Sequence, residues 1–321
     1  MNSELPFVSV IIPTRPGQSD MPAVSAARLL DYPHERLEII VARGRQPSVQ
    51  RNTALAAARG EVIYFLDDDT SPAPANLRGA AASFKDEQIK MVGGPNLCPS
   101  DAPFLEQVFA VVLSSWLAFG PSRARYAKVG SVRASSEKEL ILCNLAARRA
   151  DLLALGGFDE ALYPNEENAL MDDLQKAGGK LLYDPEFVAY RRPRSTLAAF
   201  IKMLMTYGRG RAEQFRLHPT AGSMLNFIPP LFCVYLAILL LFGLLGFLLG
   251  FVPLIAYAVA LLLQTIASAK DHGVVKGFLA LPIVVLSHIF YGLGFWRGLF
   301  TRLRPSDRKP RVEVTLERIT L

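Results

Sequence analysis

Short apolar runs alternate with stretches of helical periodicity along the N-terminal part of the chain. Runs rich in β-branched residues predict buried strands at 7–12, 37–41 and 62–66. Apolar positions at helical spacing predict helices at 21–30, 48–59 and 76–84, with Gly60 as the cap of the second. Strands and helices in this order are typical of a doubly wound sheet. The pattern therefore predicts an α/β fold with a mostly parallel sheet and helices on both faces.

Weaker patterns extend this domain further along the chain. They predict strands at 90–93 and 180–183 and helices at 151–155 and 166–177. The segment 104–119 is strongly apolar, with its polar positions on one side of a helical wheel. This pattern fits either a helix of the core or an interfacial helix that lies on a membrane.

The C-terminal part carries three long apolar runs. The first, 227–249, would reach about 34 Å as a helix, which is enough to cross a bilayer core. The second, 254–269, is marginal for a full span, and the third is 278–295. We therefore expect two or three transmembrane helices within 225–299.

These patterns divide the chain into four parts. The predicted parts are an α/β domain at 1–195, a basic amphipathic juxtamembrane segment at 196–224, the transmembrane helices at 225–299 and a basic tail at 300–321. The basic residues of the tail predict that it lies in the cytosol. Three full spans would place it on the opposite side from the first domain, so the charge pattern and three spans conflict.

Composition narrows the class of protein. Hydrophobic residues make up 51% of the chain, and the mean hydropathy is +0.24. The three cysteines form no CxxC pair, so we expect neither disulfides nor a zinc site. The start of the chain has no leader pattern, which predicts a cytosolic first domain in an inner (cytoplasmic) membrane protein. The net charge is +6, with basic residues beside the apolar runs, which favours membrane lipids over nucleic acid as partners.

An acidic triplet follows the third predicted strand. Asp67, Asp68 and Asp69 lie where parallel sheets of this type bind ligands, at the carboxyl ends of the strands. Three adjacent carboxylates repel one another unless a cation neutralises them. Mg²⁺ or Mn²⁺ would do so with oxygen ligands and would bridge to substrate phosphates. The triplet thus indicates a metal-diphosphate site.

Several motifs, taken in order, resemble those of family-2 glycosyltransferases, whose catalytic domain has the GT-A fold. They are V-S-V-I-I-P-T, Q-R-N-T-A, F-L-D-D-D-T, N-L-A-A-R-R, G-G-F-D-E and N-E-E-N-A-L-M-D-D-L-Q-K-A-G. The resemblance covers residues 5–215. With its trailing membrane helices, the chain looks like enzymes of bacterial exopolysaccharide assembly, including the succinoglycan type.

The resemblance implies a set of donor-binding residues. Those expected to bind the nucleotide sugar are Pro13, Thr14, Arg15, Arg51, Asp67, Asp68 and Asn144. Asp69 and Asp67 would hold Mg²⁺ or Mn²⁺. The second strand usually ends in an acid that reads the base, but here 41–44 contains none. The identity of the nucleotide is therefore open.

The resemblance also implies the chemistry. Glu167 falls where the family has its catalytic Asp, with Glu166 as the alternative. The carboxylate would take the proton from an acceptor hydroxyl in a direct displacement with inversion. Basic residues would either contact the leaving diphosphate or form a patch on the membrane surface. These residues are Arg191, Arg194, Arg209 and Arg211.

Three functions remain possible at this point. The first is sugar transfer from a nucleotide-diphosphate sugar to a lipid-linked or saccharide acceptor at the cytosolic membrane face. The second is a polyprenyl-phosphate sugar synthase, in which the acceptor is the lipid phosphate itself. The third is an inactive, membrane-bound scaffold that binds a nucleotide sugar.

Overall fold

A computed structural model describes residues 5–160, 162, 165–217, 219, 221–243, 248–302 and 313–321. The chain forms two compact units. We call Met1–Pro99, Ala124–Arg192 and Arg304–Leu321 the sheet unit, and Ser100–Arg123 and Pro193–Leu303 the helical unit. Each unit therefore contains more than one stretch of the chain, unlike the consecutive parts that the sequence predicts.

The strands belong to two sheets of the sheet unit. They are β1 (Val8–Thr14), β2 (Leu37–Arg43), β3 (Val62–Leu66), β4 (Ser71–Pro72), β5 (Ile89–Gly93), β6 (Asn96–Leu97), β7 (Arg133–Ser135), β8 (Asn144–Arg148), β9 (Lys180–Tyr183), β10 (Ala189–Tyr190) and β11 (Thr315–Ile319). The large sheet has the order β11-β2-β1-β3-β8-β5-β9-β7, and the small one has the order β4-β10-β6.

The α-helices come from both units. They are α1 (Pro22–Ala27), α2 (Pro47–Ala57), α3 (Asn76–Ser83), α4 (Phe104–Leu113), α5 (Trp116–Phe119), α6 (Arg149–Ala154), α7 (Glu166–Lys176), α8 (Leu197–Leu217), α9 (Ile228–Gly243), α10 (Val252–His272) and α11 (Val274–Phe300). Short 3₁₀ helices occupy His34–Arg36, Gly120–Arg125, Ala221–Phe227 and Leu248–Phe251.

The predicted α/β class is confirmed, but the large sheet is mixed. Strand β1 is parallel to both β2 and β3, and β5 is parallel to β9. The other four pairings are antiparallel, because β8 runs against β3 and β5, β7 against β9, and β11 against β2. The part that the sequence predicted best, β1 to β3, is one of the two parallel parts of this sheet.

Alternation along the central strands creates two apolar faces. Ile11 and Ile40 point into one buried cluster with residues of α2, α6 and α7. Val10 and Ile39 point into the other, with residues of α1 and α3. Successive side chains of a strand point to opposite faces, so one continuous apolar run fills both layers. Helices on both faces are thus confirmed.

Helix α2 ends earlier than predicted. Its last residue is Ala57, and Ala58 already has extended backbone angles, with φ −67° and ψ 144°. Gly60 is therefore not the cap of this helix. It lies against β1, where its N–H donates to Ser9 Oγ at 2.8 Å and a Cβ would come within 2.5 Å of Ser9 N.

Part of the predicted basic tail is a strand of the large sheet. β11 pairs with β2 over the register from Thr315–Arg43 to Ile319–Ile39. Glu317 lies 3.0 Å from Arg43 Nη2, and Arg318 pairs with the buried Glu38. The rest of the predicted tail lies largely outside the described residues, at 303–312.

Three helices among the described residues are long and apolar enough to cross a membrane. They are Ser223–Leu241, Val252–His272 and Val274–Phe300. The second is 21 residues long, so the run predicted as marginal is part of a longer helix. The first predicted run, 227–249, ends its α-helix at Gly243, and 244–247 lie outside the described residues.

The apolar segment 104–119 forms two helices rather than one. It bends by 60° between α4 and the stretch that begins with α5. Ser115 caps α5 by accepting a hydrogen bond from Ala118 N at 3.3 Å. Phe109 of α4 is fully buried and stacks on Phe200 of α8 at 4.4 Å. One face of α4 is thus buried in the helical unit, while Phe104 and Leu105 at its start are exposed. The choice between a core helix and an interfacial helix stays a prediction.

Candidate active site

The acidic triplet lies at one edge of the large sheet. Strand β3 ends at Leu66, and Asp67 to Asp69 follow it directly. The neighbouring strand β1 ends at Thr14, whose hydroxyl donates to Asp68 Oδ2 at 2.7 Å. Because β1 and β3 are parallel, their carboxyl ends meet at the same edge, which is the edge where such sheets bind ligands.

Arg51 joins this edge to helix α7. The residue is buried in α2, and its Nη2 lies 3.1 Å from Asp67 Oδ1. Its Nη1 lies 2.9 Å from Glu166 Oε1 at the start of α7. One guanidinium therefore fixes the distance between the acidic triplet and the acidic pair. Arginine suits this place, since its planar fork can donate in two directions at once.

Arg191 lies on the other side of the triplet, directly after β10. Its Nη1 is 2.7 Å from Asp67 Oδ2, and its Nε is 2.7 Å from Asp69 Oδ1. Its backbone N–H donates to Leu97 O at 2.9 Å, which continues the pairing of β10 with β6. The charges from Glu166 through Arg51, Asp67 and Arg191 to Asp69 thus alternate in sign.

The buried charges shift each other's pKa values. Burial alone would raise the pKa of Asp67, but Arg191 and Arg51 more than offset it and hold the pKa below its ordinary value. Burial, together with the charge of Glu167, raises the pKa of Glu166 to about 7 although Arg51 opposes the rise. Asp67 is therefore held as a carboxylate, whereas Glu166 takes up a proton near neutral pH.

Helix α7 begins with an unusual backbone conformation. Asn165 has φ 87° and is the one non-glycine residue with positive φ in the described part of the chain. Asparagine tolerates this region better than most residues, and such conformations are found at functional sites. Glu166 that follows is buried, with 3% of its surface exposed, and Glu167 is half-buried. The two acids are therefore in different environments.

The side chain of Asn168 stabilises this first turn of α7 by hydrogen bonds. Its amide donates to Asn165 Oδ1 at 2.8 Å, and its oxygen accepts from Arg125 Nη2 at 2.7 Å. Asn168 is fully buried. The position of the acidic pair thus depends on side chains outside the pair itself.

The other predicted donor residues have different surroundings. Pro13 is buried in β1, and Arg15 is exposed just beyond the strand. Asn144 is fully buried on β8, where it accepts from Tyr64 Oη at 2.7 Å and donates to Phe187 O at 2.6 Å. These contacts place Asn144 in the scaffold beneath the edge, because its polar atoms are already hydrogen-bonded within the protein.

The remaining predicted arginines belong to the helical unit. Arg194 is exposed. Within α8, Arg209 lies 3.6 Å from Glu213, and Arg211 donates to Gln214 at 3.2 Å. Their role at a diphosphate stays a prediction.

Two residues of the Q-R-N-T-A motif have roles that the sequence analysis did not assign. Gln50 donates to Thr14 O at 2.8 Å and to Ala42 O at 2.6 Å, which joins the ends of β1 and β2. Asn52 exchanges two hydrogen bonds with the backbone of Phe158, at 2.8 and 2.9 Å. Both residues flank Arg51 in the sequence, so the Q-R-N-T-A motif was the feature that could have pointed to them. The partners became evident only in the folded chain.

The acidic triplet offers hard oxygen ligands for a divalent ion. Asp67 and Asp69 both contact Arg191, so their carboxylates point towards one positive group, the Arg191 guanidinium. Among the described residues, no group of three or more His, Cys, Asp and Glu side chains forms a complete metal site. Two carboxylates fit Mg²⁺ or Mn²⁺ of the kind that completes its shell with phosphate oxygens and water.

Comparison with known families agrees with this arrangement. The family model described as glycosyl transferase family group 2 matches residues 62–269. The chain belongs to this family. The family resemblance seen in the motifs is therefore confirmed.

The sequences of two curated relatives match part of this chain. A pre-mycofactocin glycosyltransferase of Mycobacterium tuberculosis is 27% identical over 193 residues, which cover 60% of this chain and 37% of that protein. The succinoglycan biosynthesis protein ExoA of Rhizobium meliloti is 29% identical over 146 residues, which cover 46% of this chain and 44% of that protein. The chain thus spans less than half the length of either relative.

A solved structure resembles the whole chain. The mannosyltransferase PcManGT from Pyrobaculum calidifontis, in complex with GDP-Man and Mn²⁺, aligns with a TM-score of 0.60. The identity is 19%, and the alignment covers 96% of this chain and 89% of that one. At this identity the likeness shows the fold, and it confirms the predicted GT-A type.

Proposed function

We propose that this protein is an inverting glycosyltransferase that moves a sugar from a nucleoside-diphosphate sugar to a lipid-linked or saccharide acceptor. The observation that carries the proposal is the alternating array of acids and arginines at the sheet edge. It ends at α7, where Glu167 is half-buried beside a buried Glu166. Family membership supports the same chemistry.

The sheet unit would bind the donor through the residues at the strand ends. Thr14 and Arg51 border the triplet, and Asp67 would contact the ribose. Asp67 and Asp69 would hold the divalent ion, and Arg191 would contact the diphosphate. A bound divalent ion offsets the negative charge that grows on the leaving diphosphate. PcManGT holds GDP-Man with Mn²⁺, which supports a metal-dependent donor here.

Glu167 would act as the base towards the acceptor. Its carboxylate takes the proton from the acceptor hydroxyl while the oxygen attacks the anomeric carbon. The bond from that carbon to the diphosphate oxygen breaks on the opposite side, so the configuration inverts. Glu166 suits this role less well, because it is buried and its Oε1 already contacts Arg51 Nη1 at 2.9 Å. We therefore assign Glu166 to positioning Arg51 and α7.

The membrane part points to a lipid environment for the reaction. Three helices that could cross a bilayer support an integral protein of the cytoplasmic membrane, with the sheet unit in the cytosol. Membrane lipids would then surround the helical unit. The name of the succinoglycan relative supports a role in assembly of surface polysaccharide.

Donor binding is the first test. The purified protein in detergent is titrated with GDP and UDP, each with and without Mn²⁺ and Mg²⁺. We expect metal-dependent binding of one nucleotide, at least tenfold weaker in Asp69→Ala and unchanged in the control Asp86→Ala, an exposed aspartate of the sheet unit. Folded protein that binds neither nucleotide would overturn the proposal for these two donors.

Transfer of labelled sugar to a membrane lipid extract then separates the functions. A product in which the sugar joins a hydroxyl supports the proposal. A product from which mild acid releases the labelled monosaccharide itself, joined directly to the lipid phosphate, identifies a polyprenyl-phosphate sugar synthase instead. Nucleotide-sugar binding without any transfer, with all tested lipids and saccharides, would favour the scaffold.

A further inference from the structure

Arg191 occupies the place where two metal-binding candidates converge. Its Nη1 and Nε lie 2.7 Å from Asp67 Oδ2 and 2.7 Å from Asp69 Oδ1, respectively. Two nitrogens of one guanidinium thus bind one oxygen of each carboxylate. The second oxygen of Asp67 accepts from Arg51 at 3.1 Å. Both oxygens of Asp67 are therefore engaged by arginines in this structure.

A divalent ion and this guanidinium compete for the same oxygens. An ion held by Asp67 Oδ2 and Asp69 Oδ1 would use the same two oxygens that the Arg191 guanidinium contacts. The positive charge of the guanidinium would also repel a second cation beside it. For an ion that uses these two oxygens, binding therefore requires the Arg191 side chain to move.

We propose that Arg191 is a placeholder for the divalent ion that moves to the donor when the ion binds. The inference rests on the proposed function, because the diphosphate is the group that would receive the displaced guanidinium. Before the donor binds, Arg191 offsets the repulsion between Asp67 and Asp69. When ion and donor bind together, the ion takes the carboxylates and Arg191 takes the diphosphate oxygens, which arginine binds well.

The backbone around Arg191 fits an exchange by the side chain alone. Its N–H is fixed to Leu97 O at 2.9 Å, and Tyr190 before it pairs with both β4 and β6. The Arg191 side chain is 23% exposed, so one side of it faces solvent. A strand end of this kind holds the Cα in place while a long side chain changes partners.

The exchange makes ion binding and nucleotide binding depend on each other. Without nucleotide, the ion must displace Arg191 with no other anion to receive it, and its affinity is reduced. With nucleotide, the diphosphate receives Arg191, and the affinity for the ion rises. Such coupling is reciprocal, so the ion must increase the nucleotide affinity by the same factor.

Mn²⁺ binding to the purified full chain tests the proposal, with free Mn²⁺ measured by electron paramagnetic resonance. The variants are Arg191→Ala, Arg191→Lys and the neighbouring control Arg192→Ala. A fourth variant, Asp69→Ala, measures how much Mn²⁺ binds elsewhere on the protein. Without nucleotide, we expect Arg191→Ala to bind Mn²⁺ about tenfold more tightly than wild type, and Arg192→Ala to match wild type. Arg191→Lys should fall between them, since an amine cannot bridge both carboxylates in the same way.

The second measurement repeats the Mn²⁺ titration at saturating GDP or UDP. In wild type the nucleotide should increase the Mn²⁺ affinity by more than it does in Arg191→Ala. Equal or weaker Mn²⁺ binding by folded Arg191→Ala without nucleotide would overturn the placeholder role. If wild type still shows metal-dependent nucleotide binding in that experiment, the proposed function stands and only the placeholder role of Arg191 is rejected. Failure of wild type to bind nucleotide at all would instead count against the function.

Discussion

Two adjacent acids on α7 lie in different environments. Glu166 is buried and paired with Arg51 at 2.9 Å, whereas Glu167 is half-buried. Neighbouring residues of a helix point about 100° apart, so one can face the sheet while the other faces outward. The left-handed Asn165 sets where this first turn begins. The pair therefore offers one buried and one half-buried carboxyl group, which suits the positioning role and the base that we propose for them.

The role of Glu167 predicts a loss of turnover without a loss of donor binding. In Glu167→Gln, kcat should fall by about 10²- to 10⁴-fold, because the base is missing in the transition state. The nucleotide Kd should stay within about twofold. Asp173→Asn is the matched control on the same helix. Asp173 forms an ion pair with Lys176 of the same helix, at 3.0 Å. Steady-state kinetics with labelled donor measure kcat, and the nucleotide titration described above measures Kd.

A small effect of Glu167→Gln would change the assignment. An acceptor phosphate has no proton that must be removed, so a polyprenyl-phosphate sugar synthase should tolerate the substitution. An unchanged kcat on a hydroxyl acceptor would instead show that another group is the base.

The raised pKa of Glu166 predicts a pH-dependent stability of the sheet unit. Its ordinary pKa is 4.5, and burial raises it to about 7 in the folded chain. Between these values the folded chain holds a proton that the unfolded chain has released. The free energy of unfolding from this group therefore falls as the pH rises through this window and is lost above about 7. Glu166→Gln cannot titrate and should lack this change.

Thiol labelling of Cys143 can measure this difference. Cys143 is buried in the turn directly before β8, so a thiol reagent reaches it only when the sheet unit opens. In a Cys98→Ser, Cys233→Ser background, the labelling rate of wild type relative to Glu166→Gln should rise about tenfold from pH 6 to pH 8. Comparing the two proteins at each pH cancels the reactivity of the reagent. The same ratio at both pH values would refute the prediction.

At the scale of elements, local patterns predicted the parallel core and missed the edge strand. The runs behind β1, β2 and β3 are short and apolar, and they need no partner to be recognised. The β11 sequence T-L-E-R-I has charged residues at consecutive positions and follows a basic stretch. Its partners on β2 lie far away in sequence, at Ile39–Arg43. A pairing over such a separation leaves no local signal.

The candidate site shows the same division. The acidic triplet, Arg51 and Arg191 come from separate motifs, and the structure brings them together at one sheet edge. The sequence could name these residue types, because carboxylates and arginines suit metal and phosphate. It could not show that Arg191 contacts both Asp67 and Asp69, since that contact depends on how β10 pairs with β6.

The attachment of β11 predicts a measurable loss of stability in Arg318→Ala. Arg318 pairs with the buried Glu38 and donates to Ala57 O at 2.6 Å. Glu38 keeps Ser9 and Arg59 as partners, so its charge stays compensated in part. We expect the free energy of unfolding to fall by about 1–2 kcal/mol, as for other partly buried charged hydrogen bonds.

The exposed Thr315→Ala on the same strand is the control and should stay within about 0.5 kcal/mol of wild type. Cys143 labelling over a urea series gives both values. Equal stability of Arg318→Ala and Thr315→Ala would show that the side chain of Arg318 does not secure the strand.

At the scale of the whole molecule, the sheet constrains how the chain crosses a membrane. The chain leaves the sheet unit after Arg192 and returns to it at β11. A sheet joined by backbone hydrogen bonds lies on one side of a bilayer, so the chain between these points crosses an even number of times. Three candidate helices lie there, which allows at most two full crossings. The conflict between three spans and a basic tail on the cytosolic side is thereby removed.

The same reasoning applies to the bent pair of helices at 104–113 and 116–125. This segment also leaves and re-enters the sheet unit, between Pro99 and Ala124. A single crossing would place the two ends on opposite sides. The bent pair therefore cannot be one complete span, although its length and composition would allow it.

Accessibility of single cysteines in intact cells checks this topology. In a background without Cys98, Cys143 and Cys233, cysteines are placed at Ser19, Asp271 and Leu321, and an impermeant thiol reagent is applied before and after the membrane is opened. Ser19 and Leu321 should react only after opening, because both belong to the sheet unit, which we propose lies in the cytosol. Asp271, at the end of α10, then shows whether α9 and α10 are the crossing pair. It reacts only after opening if they are, and from outside if α11 crosses with either of them. Opposite results for Ser19 and Leu321 would mean that the chain crosses an odd number of times and that β11 does not pair with β2 in the membrane-bound protein.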